Sequence, residues 1–177
     1  MGEKQIPIIS IVGRSKTGKT TFLERMIPVL MNKGIKVATI KHHPHDFEID
    51  IPGKDTYRHK KAGAKTVILS SPGKIAIIKD TEKDLSIEEI RARYVDDVDL
   101  LITEGYKKED MLKIEVYPKK DGIEPVCAND RGLVAIITDT PFTAHVPVFL
   151  RDDAESVAEF IISRLKLPKK ERLLPIV

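Results

Sequence analysis

The stretch IPIISIVGRSKTGKTTF, residues 6–22, changes character twice. Residues 6–12 are apolar and β-branched, and the run is too short for a core helix, so it predicts a buried strand ending at Gly13. From Lys19 onward Phe22, Leu23, Met26, Ile27 and Leu30 recur at helical spacing until Asn32-Lys33-Gly34, which predicts a helix with a glycine stop. Pro28 lies inside that pattern. Because the apolar stripe continues past it, it predicts a kink or a lost hydrogen bond in one helix rather than two helices. Between strand and helix, Gly13 to Thr20 satisfies G-x-x-x-x-G-K-[ST] at every fixed position, in the strand-then-helix setting that the motif requires.

The residue types match the chemistry of phosphate binding. Glycines let backbone N–H groups turn inward on phosphate oxygens, and the following helix offers its positive end to the same anion. Lys19 is placed to reach the β- and γ-phosphates and Thr20 to set its hydroxyl on Mg²⁺, while Thr21 contacts the α-phosphate or caps the helix. Such a loop needs a carboxylate on the far side of the metal, at the carboxyl edge of a neighbouring strand. Asp99 and Glu104 bracket one apolar run, roughly 16 Å apart at the rise of a strand, and only Glu104 shares the phosphate edge.

Outward from this core the elements alternate. Residues 35–40 predict a second strand, so the first forty residues read as a right-handed β-loop-α-β crossover. A polar segment with Pro44, Pro52 and Gly53 leads to a short helix over 55–62, then to strands at 66–69 and 75–78 around a Ser-Ser-Pro-Gly turn. Ser86 three residues before Glu89 is a capping-box spacing and predicts a helix to residue 94. Strands follow at 99–104, 113–117, 133–138 and 146–149, and a helix over 153–167 carries Val157, Phe160, Ile161 and Leu165 on one face. The tail from Pro168 shows no packing role. With no repeat and no linker, residues 1–177 predict one α/β domain, P-loop NTPase-like and three-layered, with a mostly parallel sheet.

Composition agrees. The 177 residues are 41% hydrophobic and 32% charged, with 30 Lys+Arg against 27 Asp+Glu, a net charge of +3. That balance argues against a nucleic-acid-coating surface, although Lys60-Lys61 and Lys107-Lys108 suit local phosphate contacts. No apolar run approaches the roughly 20 residues of a membrane helix, and the opening MGEKQIPIIS lacks a signal-peptide pattern, so no membrane association and a cytoplasmic location are expected. Cys127 is the only cysteine, which excludes an intramolecular disulfide.

Four of the five histidines, His42, His43, His45 and His59, follow the second predicted strand, with Asp46, Asp50 and Asp55. Their spacing is not that of a fixed zinc signature. Their position is more informative. A long polar loop leaving the carboxyl end of a strand is where α/β proteins bind ligands, so Lys41, Asp46 and Asp50 are candidates to face the nucleotide or a second substrate.

With GRSKTGKTT at 13–21, IKHHPHDFEIDIPGKDTYRHKKAGA at 40–64, DLLITEGYK at 99–107, Asp130-Arg131 and Ile137-Thr138-Asp139, the chain resembles the molybdopterin-guanine dinucleotide biosynthesis adaptor protein B family (MobB) along nearly its whole length. The resemblance implies a GTP-binding protein, at most a slow GTPase, that assists a separate molybdenum cofactor guanylyltransferase. It further implies a homodimer and the possibility of molybdopterin binding. By the same resemblance Gly13, Ser15, Lys16, Thr17, Gly18, Lys19, Thr20 and Thr21 hold the triphosphate, and Thr20 and Glu104 hold Mg²⁺. Lys16 departs from the small residue such loops often carry there and either strengthens phosphate binding or points outward. No N-K-x-D element is present; Asp139, at a predicted strand end, is the candidate reader of guanine N1–H and N2. No catalytic residue is assigned. The competing readings are a small-molecule P-loop kinase and a nickel or zinc metallochaperone GTPase using the histidines.

Overall fold

Six strands form one sheet in the order β2-β5-β1-β6-β7-β8, and every neighbouring pair is parallel. The computed structural model describes residues 5–117 and 124–168. The strands are β1 (Ile8–Val12), β2 (Val37–Lys41), β5 (Leu100–Glu104), β6 (Lys113–Val116), β7 (Leu133–Ile137) and β8 (Val148–Phe149). Helices α1 (Lys19–Asn32) and α4 (Ala154–Leu165) belong to the same unit, and α2 (Asp55–Lys61), β3 (Thr66–Ser71), β4 (Lys74–Lys79) and α3 (Ile87–Tyr94) complete the chain. Contacts divide the span 1–177 into two compact units, residues 1–42 with 95–177, and residues 43–94.

In the first unit the parallel sheet is buried on both faces, as its continuous apolar strands require. One face carries Ile9, Ile11, Leu100, Ile102, Ile114 and Val116 against Phe22, Met26 and Leu30 of α1 and Val157, Ile161 and Ile162 of α4. Each such side chain, fully withdrawn from water, contributes about 1.5–3 kcal/mol. Helix α1 runs through Pro28, which lies on its exposed side. It stops where the glycine predicts: Gly34 takes φ +77° and the Ile35 N–H closes on the Leu30 carbonyl at 3.0 Å. That closure takes the Ile35 N–H, and the Lys36 N–H is taken by the Asp99 carboxylate at 2.9 Å, so β2 begins at Val37, two residues later than the sequence pattern suggests.

The opposite face mixes buried apolar side chains, among them Val12, Leu101, Leu133 and Ile136, with buried polar ones. Ser10, Thr103, Lys113 and Glu115 are at most 1% exposed. Lys113 Nζ donates to Asp130 Oδ2 at 2.6 Å, and Asp130 Oδ1 accepts the Gly132 N–H at 2.8 Å. Glu115 accepts the N–H groups of Val126 at 2.8 Å and Cys127 at 2.9 Å. These bonds pin an irregular segment over the sheet and satisfy the buried groups. Burial pushes the Glu115 carboxyl up against the pull of those amides, and burial together with the charges of Glu115 and Asp130 raises the Cys127 thiol to about 11.

The closing elements differ slightly from their predicted bounds. Only residues 148–149 pair as β8, because Pro147 has no N–H and contributes its carbonyl alone, to the Ile136 N–H at 3.0 Å. Helix α4 is capped by Asp153, whose carboxylate accepts the Ser156 N–H at 3.0 Å, and it ends at Leu165 because Lys166 adopts the left-handed conformation, φ 52°. The tail beyond Pro168 lies outside the described residues.

In the second unit, β3 and β4 form a separate two-stranded antiparallel sheet rather than extending the parallel one. The capping box is formed in both directions, Ser86 N–H to Glu89 Oε2 at 2.9 Å and Glu89 N–H to Ser86 Oγ at 3.1 Å, and it holds the Glu89 carboxyl at about 2.

Candidate nucleotide site

The functional side chains collect along the carboxyl edge of the six-stranded sheet. The chain leaves β1 there, and β1 is flanked by β5 on one side and β6 on the other, with β2 beyond β5 and β7 beyond β6, which is the topology that opens a crevice in α/β folds. Gly13, immediately after β1, has φ +142°, and a Cβ on it would stand 2.5 Å from the Val116 carbonyl oxygen. Only glycine fits between the loop and β6. Lys16 at φ 61° and Gly18 at φ +86° also take positive φ, and this alternation turns successive amides toward a common concavity, an anion nest. Thr17 Oγ1 braces the loop by donating to the Arg14 carbonyl at 3.0 Å. Arg14, Ser15 and Lys16 are exposed on its outer rim.

Lys19, the first residue of α1, folds its ammonium back onto the loop and donates to the carbonyls of Arg14 at 2.7 Å and Gly13 at 3.4 Å. Burial draws its pKa below the ordinary lysine value; the charge of Glu104 opposes the shift, and Lys107 and Lys41 add to it. Three ammonium groups thus share one neighbourhood, the electrostatics of a polyphosphate site. Thr20 Oγ1 donates to the Glu104 carboxylate, 3.3 Å from Oε1 and 3.4 Å from Oε2, and Lys41 Nζ lies 3.6 Å from Oε1. A hydroxyl and a carboxylate so placed are hard oxygen donors of the kind Mg²⁺ takes. Beside them the His42 ring packs on Tyr106 with centroids 4.9 Å apart. Thr21 is exposed.

Asp99 sits at the other end of β5, where its carboxylate accepts the Lys36 N–H at 2.9 Å. Asp46 and Asp50, in the second unit, each accept the N–H of the following residue, at 2.9 and 2.8 Å, and Asp50 Oδ2 is shielded with no hydrogen-bond partner. His43 Nδ1 lies 3.0 Å from the His45 carbonyl. Among the described residues no three His, Cys, Asp or Glu side chains converge as a metal cluster, so the histidines give the metallochaperone reading no support.

Asp139 lies just past β7 on the same edge. Its Oδ1 accepts the Arg151 N–H at 3.1 Å and its Oδ2 stands 3.7 Å from Arg151 Nε. Arg151 is absent from the candidates read in the sequence, although its guanidinium reaches the phosphate loop, with Nη1 donating to the Thr17 carbonyl at 2.5 Å and Nη2 to the Tyr117 carbonyl. No local pattern marks it, because it lies 134 residues from Thr17.

Residues 8–139 match the family described as molybdopterin guanine dinucleotide synthesis protein B. The chain is 34% identical over 165 residues to the molybdopterin-guanine dinucleotide biosynthesis adapter protein of Escherichia coli, covering 91% of this chain and 94% of that one. A crystal structure of molybdopterin-guanine biosynthesis protein B superposes with a TM-score of 0.70 at 33% identity, over 89% of this chain and 99% of that one. Bacillus subtilis MobB superposes with a TM-score of 0.71 at 27% identity, over 93% and 99%. A phosphate loop and an acidic partner on one sheet edge, in a chain matched along most of its length, place this protein in the MobB family.

Proposed function

We propose that the protein is a GTP-binding adapter of molybdopterin guanine dinucleotide synthesis that presents nucleotide, as a homodimer, to a separate guanylyltransferase in the cytoplasm. The observation that carries the nucleotide part is the juxtaposition of the loop's amides, Lys19, Thr20 and Glu104 on one edge. Gly13 to Thr21 hold the phosphates, and Thr20 with Glu104 holds Mg²⁺, which when bound offsets the charge of the β- and γ-oxygens. Asp139 is proposed to read the guanine edge, its carboxylate accepting from N1–H and the N2 amine. Lys41, beside Glu104, is proposed to face the nucleotide, and the segment of the second unit with Asp46 and Asp50 is proposed as a surface offered to the transferase and to molybdopterin; Asp50 Oδ2, with no hydrogen-bond partner among the described residues, supports a ligand there.

Turnover by the isolated chain is expected to be slow. An arginine finger contributes a factor of about 10³–10⁵ in such proteins. Arg14 Nη2 instead points to the Glu124 carbonyl at 3.4 Å, and Arg151 is bound to carbonyls behind the loop. The homodimer is supported by the β3-β4 ribbon, one face of which presents Ile68, Ile75 and Ile77 at 45–61% exposure, more apolar surface than an isolated ribbon leaves in water.

The adapter is tested by reconstitution: cofactor formation from molybdopterin, limiting GTP and a guanylyltransferase is expected to rise when this chain is added, and GTP is expected to displace labelled nucleotide better than ATP. A reaction indifferent to the chain, with rapid triphosphate turnover or metabolite phosphorylation by the chain alone, returns the kinase reading. For the metal, Glu104→Gln is expected to weaken Mg²⁺-dependent nucleotide binding by roughly 10-fold or more, the scale of one charge-assisted contact, and Asp99→Asn by less than about twofold. The reverse order in titration calorimetry removes Glu104 from the site.

A further inference from the structure

Arg151 ties three segments of the carboxyl edge together. Its two terminal nitrogens serve the carbonyls of Thr17, in the phosphate loop, and Tyr117, just past β6, and its Nε faces the Asp139 carboxylate past β7. The side chain is 16% exposed, and Nε is buried with no acceptor within hydrogen-bond distance. A buried guanidinium is costly to desolvate, and its planar fork, unlike an ammonium, can hold two carbonyls in fixed directions at once.

The direction imposed on Thr17 matters for the loop. No described peptide bond is cis, and in a trans peptide the C=O and the following N–H point to opposite sides. Drawing the Thr17 carbonyl back toward Arg151 therefore turns the Gly18 N–H forward into the concavity of the nest. Gly18 also makes room for this contact, since a Cβ there would lie 3.0 Å from Arg151 Nη1. The Asp139 carboxylate, bonded to the Arg151 main chain and facing Nε, sets the plane of the guanidinium.

We propose that Arg151 is a positioning residue for triphosphate binding, holding the Thr17–Gly18 peptide in its phosphate-accepting orientation, and that Asp139 acts on the phosphates through Arg151. This rests on the nucleotide reading above and gives Asp139 a role independent of the base. Both terminal nitrogens of Arg151 are taken by backbone carbonyls, which assigns it to orienting the loop rather than to any reaction.

The experiment is calorimetric titration of Mg²⁺–GTP and Mg²⁺–ATP into the full chain and into Arg151→Ala, Arg151→Lys, Asp139→Asn and the Arg151→Ala/Asp139→Asn double variant, each first checked by thermal melting. Arg151→Ala is expected to lose roughly 10- to 100-fold in affinity for both nucleotides, and Arg151→Lys, which keeps the charge but not the fork, is expected to lose less. For ATP, whose base offers Asp139 no donor pair, Asp139→Asn is expected to lose a smaller factor and the double variant to bind no worse than Arg151→Ala, the non-additivity of residues acting in series, while GTP additionally loses its guanine contact. Millimolar guanidinium chloride is expected to restore binding to Arg151→Ala and not to a Lys19→Ala control, which a general loss of stability would not do. Should Arg151→Ala fail to fold, Arg151→Lys and Asp139→Asn carry the same comparison. Folded Arg151 variants that bind within twofold of the wild type overturn the proposal, as do losses of ATP affinity that add in the double variant. A wild-type chain that binds no triphosphate overturns the nucleotide reading itself and takes this one with it.

Discussion

Lys19→Ala is expected to lower affinity for a Mg²⁺–nucleoside triphosphate by roughly 100-fold, or about 2.7 kcal/mol, the worth of one or two charge-assisted hydrogen bonds. In the free protein the ammonium is parked on the loop's own carbonyls, 2.7 and 3.4 Å away, so phosphate oxygens can take it over without any rearrangement of the backbone. The alanine variant loses that charge but none of the packing beneath the loop, since the buried stripe of α1 begins at Phe22. Its melting temperature is expected to stay close to that of the wild type. The same lysine gives a pH signature. The protonated form binds phosphate, and burial places its pKa in the free protein below the ordinary lysine value. Affinity is therefore level at lower pH and falls, by up to about tenfold per unit, as pH rises through the lowered value. That fall starts earlier than an exposed lysine would allow, and Lys19→Ala is expected to lack it. Equal calorimetric affinities for variant and wild type would remove Lys19 from the site.

Asp130→Ala is expected to destabilise the fold by roughly 3 kcal/mol, because it leaves the Lys113 ammonium buried without its partner. Lys113 is 1% exposed and pairs with Asp130 Oδ2 at 2.6 Å. The variant also frees the Gly132 N–H, which Asp130 Oδ1 accepts. For a domain of this size the loss corresponds to a fall in melting temperature of about 6–12 °C. Adding Lys113→Met is expected to recover part of it, since a buried pair replaced as a whole costs less than one broken in half. The hydrogen bond from Lys113 depresses the Asp130 pKa below the ordinary aspartate value, with the Gly132 amide acting in the same direction. The stabilisation is therefore complete above the unfolded value and disappears as pH falls through the depressed one, so variant and wild type converge only in acid below about pH 4. Melting temperatures within about 1 °C of each other at neutral pH would show that the buried ammonium finds other solvation.

Much of this arrangement is written in local patterns. The apolar run of residues 6–12 marks β1, the stripe from Phe22 to Leu30 marks the buried side of α1, and Gly34 and the Ser86–Glu89 pair mark a helix end and a helix start at or within a residue of where the structure has them. Such features depend on neighbours one to four places away, and residue type and spacing carry that information. The phosphate loop is legible for the same reason: its backbone turns and its lysine lie within nine residues of one another. The edge on which Glu104 lies could also be inferred, because Asp99 and Glu104 stand at opposite ends of one strand.

What the sequence by itself determined is the set of parts: a parallel α/β unit, a phosphate loop, an acidic partner and the motifs that mark the MobB family. Only the tertiary structure decided how the parts meet. It set β5 beside β1, so that Glu104 reaches Thr20 across 84 residues, and it brought Arg151 under Thr17 across 134. It also turned Lys113 and Glu115, which alternate along β6 with apolar neighbours, into a buried network closed by Asp130, Val126 and Cys127. It separated β3 and β4 from the parallel sheet into a hairpin of their own. The reason is physical: a side chain's local sequence sets its conformational preference, whereas the partner that makes its burial favourable comes from whichever distant segment the sheet order places beside it.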